Sequence, residues 1–275
     1  MNTASIFAVI QKDSKQIFRK KILLVTLIIV PLLIGLIIPS GVTWLITILN
    51  ASVLQDPEIL NLLDRFLTSI ANSEVQQLSI NEQLLYLFLN YPLVTLFLLV
   101  PVITCSVIAS NSFVSEKEQN TLESLLFSPI SIRDLFIAKL LISIIPAYLI
   151  SIFCFGMNAL IINMLITSRD FAVQFPSTQW WILMVLVLPI LLTTTALINL
   201  VISTRVSTYQ EAHNLSGLII LPVIGLMIAQ LSGIFFIDSM FLLFLAGGLL
   251  LINGILLKYA LRFGTRNQLF NSQMS

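Results

Sequence analysis

Six apolar runs, separated by short polar connections, constrain this chain more than any other feature. A segment of roughly twenty apolar residues crosses a bilayer only as a helix, because no water is present in the hydrocarbon to satisfy an open backbone. The first run begins at Ile22 and ends either near Pro39 or, through Trp44, towards Leu49. The second covers about Leu84 to Ser110, the third Leu135 to Ile166 and the fourth Trp180 to Ile202. The last pair fills Leu215 to Leu261, its turn at either Ser232-Gly233 or Asp238-Ser239. Kinks at Pro31, Pro92, Pro101 or Pro146 are permitted, since several runs exceed the minimum crossing length.

Composition agrees with this reading. Hydrophobic residues make up 57% of the chain and charged residues 10%, and the mean hydropathy is +1.00, far outside the balance of a soluble domain. The chain reads as one all-α integral membrane unit over residues 1–275: a polar-faced lead over 1–21, six spans within 22–261 and a tail over 262–275. A further soluble domain of ordinary size has no room.

Positive charge fixes the orientation, because Lys and Arg are translocated reluctantly. Twelve of the fourteen cations, from Lys12 to Arg266, fall on one side, and only Arg65 and Arg169 fall on the other. Both termini are therefore expected in the cytosol of a cell-membrane, multi-pass protein. In the lead, Ile6, Phe7, Ile10, Ile17 and Phe18 recur at helical spacing opposite Gln11, Lys12, Lys15, Arg19 and Lys20. That pattern predicts an amphipathic helix along the cytosolic leaflet, in contact with membrane lipid. A signal peptide fits poorly: the lead is long and no A-x-A-like site follows.

Between spans two and three lies a polar island, Ser115 to Asp134. Ser115-Glu-Lys-Glu118 has the form of a capping box, Leu122, Leu125, Leu126 and Phe127 form a stripe, and Pro129 stops it. The expectation is a short cytosolic amphipathic helix. Ser131-Ile-Arg-Asp134 repeats a cap-like pattern ahead of the third span. On the other side, residues 50–83 are longer than a tight connection needs. Asp56-Pro-Glu58 reads as a helix start, followed by an apolar stripe of Ile59, Leu62, Leu63, Phe66, Leu67 and Ile70 that could cover the exit of a conduit or bind an external partner, with resting on lipid or on the protein itself the commoner use.

The chemistry of catalysis is missing. No G-x-x-x-x-G-K-[ST] loop, G-x-S-x-G elbow or H-E-x-x-H pair occurs. Cys105 and Cys154 lie within spans and read as packing residues, and the single histidine, His213, cannot build a multi-His metal site. The span interiors carry neutral polar groups such as Asn90, Thr95, Thr104, Asn158, Asn199 and Gln230 but no ionisable ones, which argues against a stand-alone ion-coupled carrier. Such groups bridge helices by hydrogen bonds or line a path, with bridging the commoner use. Nothing points to nucleic acid.

The run Glu-Lys-Glu-x-x-Thr-Leu-Glu-x-Leu-Leu-x-Ser-Pro-Ile-Ser from Glu116, then Arg-Asp-Leu and Ala-Lys139, resembles the signature of type-2 ABC exporter permeases. Ser203-Thr-Arg-Val-Ser-Thr-Tyr-Gln-Glu-Ala212 is similar to a segment of their sodium- and drug-efflux branch. Asn120 and Ala138 depart from the glycines common at those places. The resemblance implies a permease, itself not an enzyme and without a cofactor, that pairs with a second permease copy and is driven by cytosolic ATPase subunits holding ATP and magnesium. It implies that Glu116, Glu118, Thr121, Glu123, Leu125 and Leu126 form a coupling helix seated in the ATPase, and that Arg205, Gln210 and Glu211 form a second contact. Arg133, Asp134 and Lys139 would anchor the third span, and Thr95, Thr104 and Gln230 would line a conduit. A non-transporting scaffold or immunity protein, or a permease serving extracytoplasmic metalloprotein maturation, is the alternative.

Overall fold

The computed structural model describes residues 3–48, 56–69, 73–118, 131–206 and 208–263. These are helical almost throughout, with no strand among the described residues. Among the described residues six helices are long and apolar enough to cross a membrane: Leu23–Ile48, Ile80–Ser112, Arg133–Thr167, Thr178–Ser203, Tyr209–Leu231 and Ser239–Tyr259. They are called spans one to six below. The second is buried along nearly its whole length, whereas the fifth and sixth expose most of theirs. The main core forms where Leu93, Phe97 and Leu98 of span two meet Ala147 and Cys154 of span three and Leu183, Leu188 and Leu192 of span four.

Span one continues through Pro39 to Ile48, which settles its far end in favour of the longer alternative. The proline is accommodated by a π-helical turn, Leu33–Ile37, directly before Ile38-Pro39. Span four repeats the device, with a π turn at Leu183–Val187 before Leu188-Pro189. A widened turn relieves the clash between a proline ring and the preceding carbonyls. In each case the threonine four residues on donates to the proline carbonyl at 2.8 Å, Thr43 to Pro39 and Thr193 to Pro189. Pro39 has no N–H to offer Gly35, and the Gly35 carbonyl instead accepts from Asn158 Nδ2 of span three at 2.5 Å. Gly35 is required there by space, since a Cβ would lie 2.9 Å from Val100 Cγ2 and 3.2 Å from Cys154 Cβ.

Span two breaks at Tyr91, just before Pro92. A helix end leaves carbonyls without partners, and here the Trp180 indole N–H donates to Leu89 O at 3.0 Å. Trp180 is thereby fixed among Phe97, Phe155 and Phe175, with ring centroids 5.3–5.4 Å apart.

The turn between spans five and six uses both of the signals that competed in the sequence. Gly233, at φ +68°, closes the fifth helix, with Ile234 N–H donating to Ala229 O and Gly233 N–H to Gln230 O. Asp238 then caps the sixth, its Oδ1 accepting from Phe241 N–H at 2.8 Å. Gly233 and Asp238 therefore bound one turn and are not alternatives to each other.

At that same end of the bundle a helix covers Pro57–Ser69, started as expected by Asp56, whose Oδ1 accepts from Glu58 N–H at 2.9 Å. Its stripe rests on the protein: Phe66 is fully buried against Tyr91 and Phe236, and Arg65 Nη1 donates to Ser232 O at 3.4 Å. Leu60 stands outside this contact, and Ile70 lies outside the described residues.

Candidate functional site: a polar junction at the N-terminal-helix end

The amphipathic lead forms the helix Thr3–Arg19. Ile6, Val9 and Ile17 are buried, Ile6 and Val9 against Ala138 and Ile17 in a cluster with Leu27, Ile108 and Ile142, so this helix packs on the starts and ends of spans one, two and three. Phe7 is 67% exposed, while Val9 and Asp13 belong to the face packed on the protein. Lys12, Lys15 and Arg19 remain on the exposed side.

Asp13 is the centre of the arrangement and was invisible as a site residue in the sequence. It is buried, its Oδ2 accepting from Ser112 Oγ at 2.8 Å and lying 3.7 Å from Lys139 Nζ, which is equally buried. The ammonium also donates to the Ser112 carbonyl. One ion pair and two hydrogen bonds thus tie the N-terminal helix to the end of span two and the start of span three. Beside it, Lys20 Nζ donates to Asn111 Oδ1 at 2.8 Å. Taking two charges out of water is costly, so such a pair persists only where the carboxylate and ammonium find further hydrogen bonds. The one sequence signal for Asp13 is that it is the sole acid among the first 55 residues, within a basic lead.

A second polar node lies one position inward. Ser110 Oγ donates to Asn199 Oδ1 at 3.0 Å and sits 3.0 Å from Ser216 Oγ, which also donates to Asn199 Oδ1. Asn199 Nδ2 donates to Thr195 O at 2.8 Å. Spans two, four and five are joined there, and all three side chains are buried. Ser110-Asn111-Ser112 is therefore a polar step facing three different partners.

Spans two and three run through this junction as continuous helices. The helix from Pro92 runs unbroken to Glu118, so Ser115 lies within it and does not begin a new helix. The capping-box expectation fails because the second span's own hydrogen bonding continues through those residues. Glu116 and Glu118 accordingly form its last turn. Thr121, Glu123, Leu125 and Leu126 fall outside the described residues. The cap before the third span is present: Ser131 Oγ accepts from Asp134 N–H at 3.1 Å, with Asp134 buried and Arg133 exposed.

Of the other expected positions, Gln210 and Glu211 are exposed on the first turn of the helix Tyr209–Ser216, capped by Thr208 Oγ1 accepting from Glu211 N–H at 3.3 Å. His213 stacks on Tyr209, ring centroids 5.7 Å apart. Arg205 ends the helix that carries span four, exposed, at one end of a groove between spans four, five and six. Thr95 and Gln230 are brought together, with the Gln230 amide nitrogen 2.5 Å from Thr95 Oγ1 and donating to Tyr91 O at 3.2 Å. Thr104 is buried and donates to Val100 O of its own helix at 2.6 Å. Among the described residues no group of three or more His, Cys, Asp and Glu side chains converges.

Residues 7–246 match the family described as ABC-2 family transporter protein. Neither the curated proteins nor the solved structures gave a match.

Proposed function

This chain belongs to the ABC-2 transporter family, and on that premise we propose that it is the membrane-spanning subunit of an exporter driven by a separate ATPase. The family makes it a multi-pass membrane permease of an ABC transporter. The proposal adds the direction, out of the cytoplasm, and the arrangement: both termini cytosolic in the cell membrane, two permease copies, and cytosolic ATPase subunits that bind ATP and magnesium.

The observation that carries this reading is the bracket of Asp13, Ser112 and Lys139 at the root of the connection between spans two and three. A partner pulling on residues 119–130 would act on two helix ends that are fastened to each other and to the N-terminal helix. Its displacement would pass into span two, the most buried of the six. Glu116, Glu118, Thr121, Glu123, Leu125 and Leu126 are assigned to the ATPase contact, with Arg205, Gln210 and Glu211 as its second part. The second part is mechanically tied to the first, since Ala212 packs against Val114. The basic side carries twelve of fourteen cations, which supports its placement in the cytosol.

The test is co-expression with the ABC ATPase encoded beside the chain. The two should co-purify, and the complex should hydrolyse ATP faster than the ATPase alone. Glu118→Ala with Glu123→Ala should weaken both while the permease still elutes as a folded species. Undiminished association in that variant would remove the docking role, and no complex with the native chain would remove the exporter reading.

A further inference from the structure

Spans four, five and six enclose a lateral groove of about 910 Å³, at the upper end of what small-molecule sites offer. Its walls are apolar along nearly their whole length, with Leu191, Leu226 and Leu249 among them. Thr194 and Thr195 reach the wall, but each hydroxyl donates to its own helix, to Ile190 O and Leu191 O at 2.9 Å. Arg205 is the one charged residue among the described lining, and it stands at one end, across from Tyr259.

We infer that this groove is a binding site for an anionic phospholipid of the leaflet on the Arg205 side, its phosphate at Arg205 and one acyl chain laid along the groove. Three observations select this occupant. First, the wall has almost nothing with which to hydrogen-bond a polar chain, so the body of the ligand is hydrocarbon. Second, the lone guanidinium at the mouth favours an anion, and its planar fork suits phosphate. Third, Leu191 to Arg205 is fourteen residues, about 21 Å at 1.5 Å per residue. That length fits half of a roughly 30 Å hydrocarbon core plus the headgroup layer. A spanning helix of a second copy would instead need a seam through the whole thickness, whereas the groove follows only about half of span four, from Leu191 on. The inference goes beyond the transport reading and does not depend on it.

The test uses the full chain alone, without ATPase, in nanodiscs of phosphatidylcholine containing a few per cent of either phosphatidylglycerol or phosphatidylcholine that bears a mid-chain diazirine. After irradiation, labelled residues are mapped by mass spectrometry. Phosphatidylglycerol is expected to label the groove wall around Leu191 and Leu249 several-fold more than phosphatidylcholine. Arg205→Gln should abolish that preference while acyl labelling persists, and Leu249→Trp, which fills the groove, should remove labelling by both. Equal labelling by the two lipids in the native chain overturns the proposal, as does a preference that survives Arg205→Gln. Efficient disulfide cross-linking of Leu249→Cys between two copies, with no lipid label in the groove, overturns it in favour of a protein interface. Should Leu249→Trp fail to elute as a monodisperse species, the native and Arg205→Gln comparisons decide alone. Because no ATPase is present, failure here leaves the exporter reading untouched, and failure of co-purification leaves this one untouched.

Discussion

Asp13 Oδ2 lies 3.7 Å from Lys139 Nζ, and through Ser112 this single buried pair clamps three helices together. Removing one charge strands the other, a loss of about 3–5 kcal/mol for buried pairs. Lys139→Met should therefore be severely destabilising, whereas Asp13→Asn with Lys139→Met should recover much of the loss. Thermal unfolding in detergent measures this, and protease access to residues 3–19 reports whether the N-terminal helix has come away.

Gly35→Ala should destabilise the protein by about 1–3 kcal/mol, the usual cost of overpacking. The new methyl would sit 2.9 Å from Val100 Cγ2 and 3.2 Å from Cys154 Cβ. Val100→Ala should restore part of that stability by removing the nearer atom. If Gly35→Ala unfolds at the native temperature, spans one and two are not packed as closely as described.

Asn158 and Pro39 are energetically linked through the Gly35 carbonyl. Asn158→Leu leaves that carbonyl without its amide partner, at about 1–3 kcal/mol for a buried group and less where the membrane-unfolded chain finds substitutes. In a Pro39→Ala background the returned N–H can close an ordinary helical bond to Gly35. The asparagine substitution should then cost measurably less, and a double-mutant cycle on unfolding free energy gives the difference. Strict additivity would show that Asn158 does not replace the proline's missing donor.

Gly233→Ala should cost about 1–2 kcal/mol, because φ of +68° places a Cβ in the left-handed region. It also brings that Cβ within 3.3 Å of Arg65 Cδ. Asn in place of Ala should be milder, since its short polar side chain tolerates that region. Both variants lie at the end of the bundle away from Asp13 and should leave ATPase co-purification unchanged.

Much of the fold could be read from the sequence because hydrocarbon imposes a length and a periodic requirement on every crossing. The six spans, the Asp56 and Ser131 caps and the helical lead follow from rules that act within a few residues. Pattern reading failed at Ser115, where a local cap signal met a helix already in progress. Amphipathicity of the lead marked an apolar face but not which of its edges meets protein, where Val9 is buried and Phe7 is exposed.

The sequence by itself determined that this chain crosses a bilayer six times, and its residues 115–134 carried the resemblance on which the transport reading began. Those are properties of composition, spacing and order along the chain. Only the tertiary structure decided that Asp13 pairs with Lys139, that Asn158 meets the carbonyl Pro39 leaves open, and that Asn199 joins Ser110 and Ser216. These contacts join residues up to 126 positions apart, and no local rule relates such residues. They form because a buried polar group needs a partner, and the partner is whichever group helix packing brings within reach.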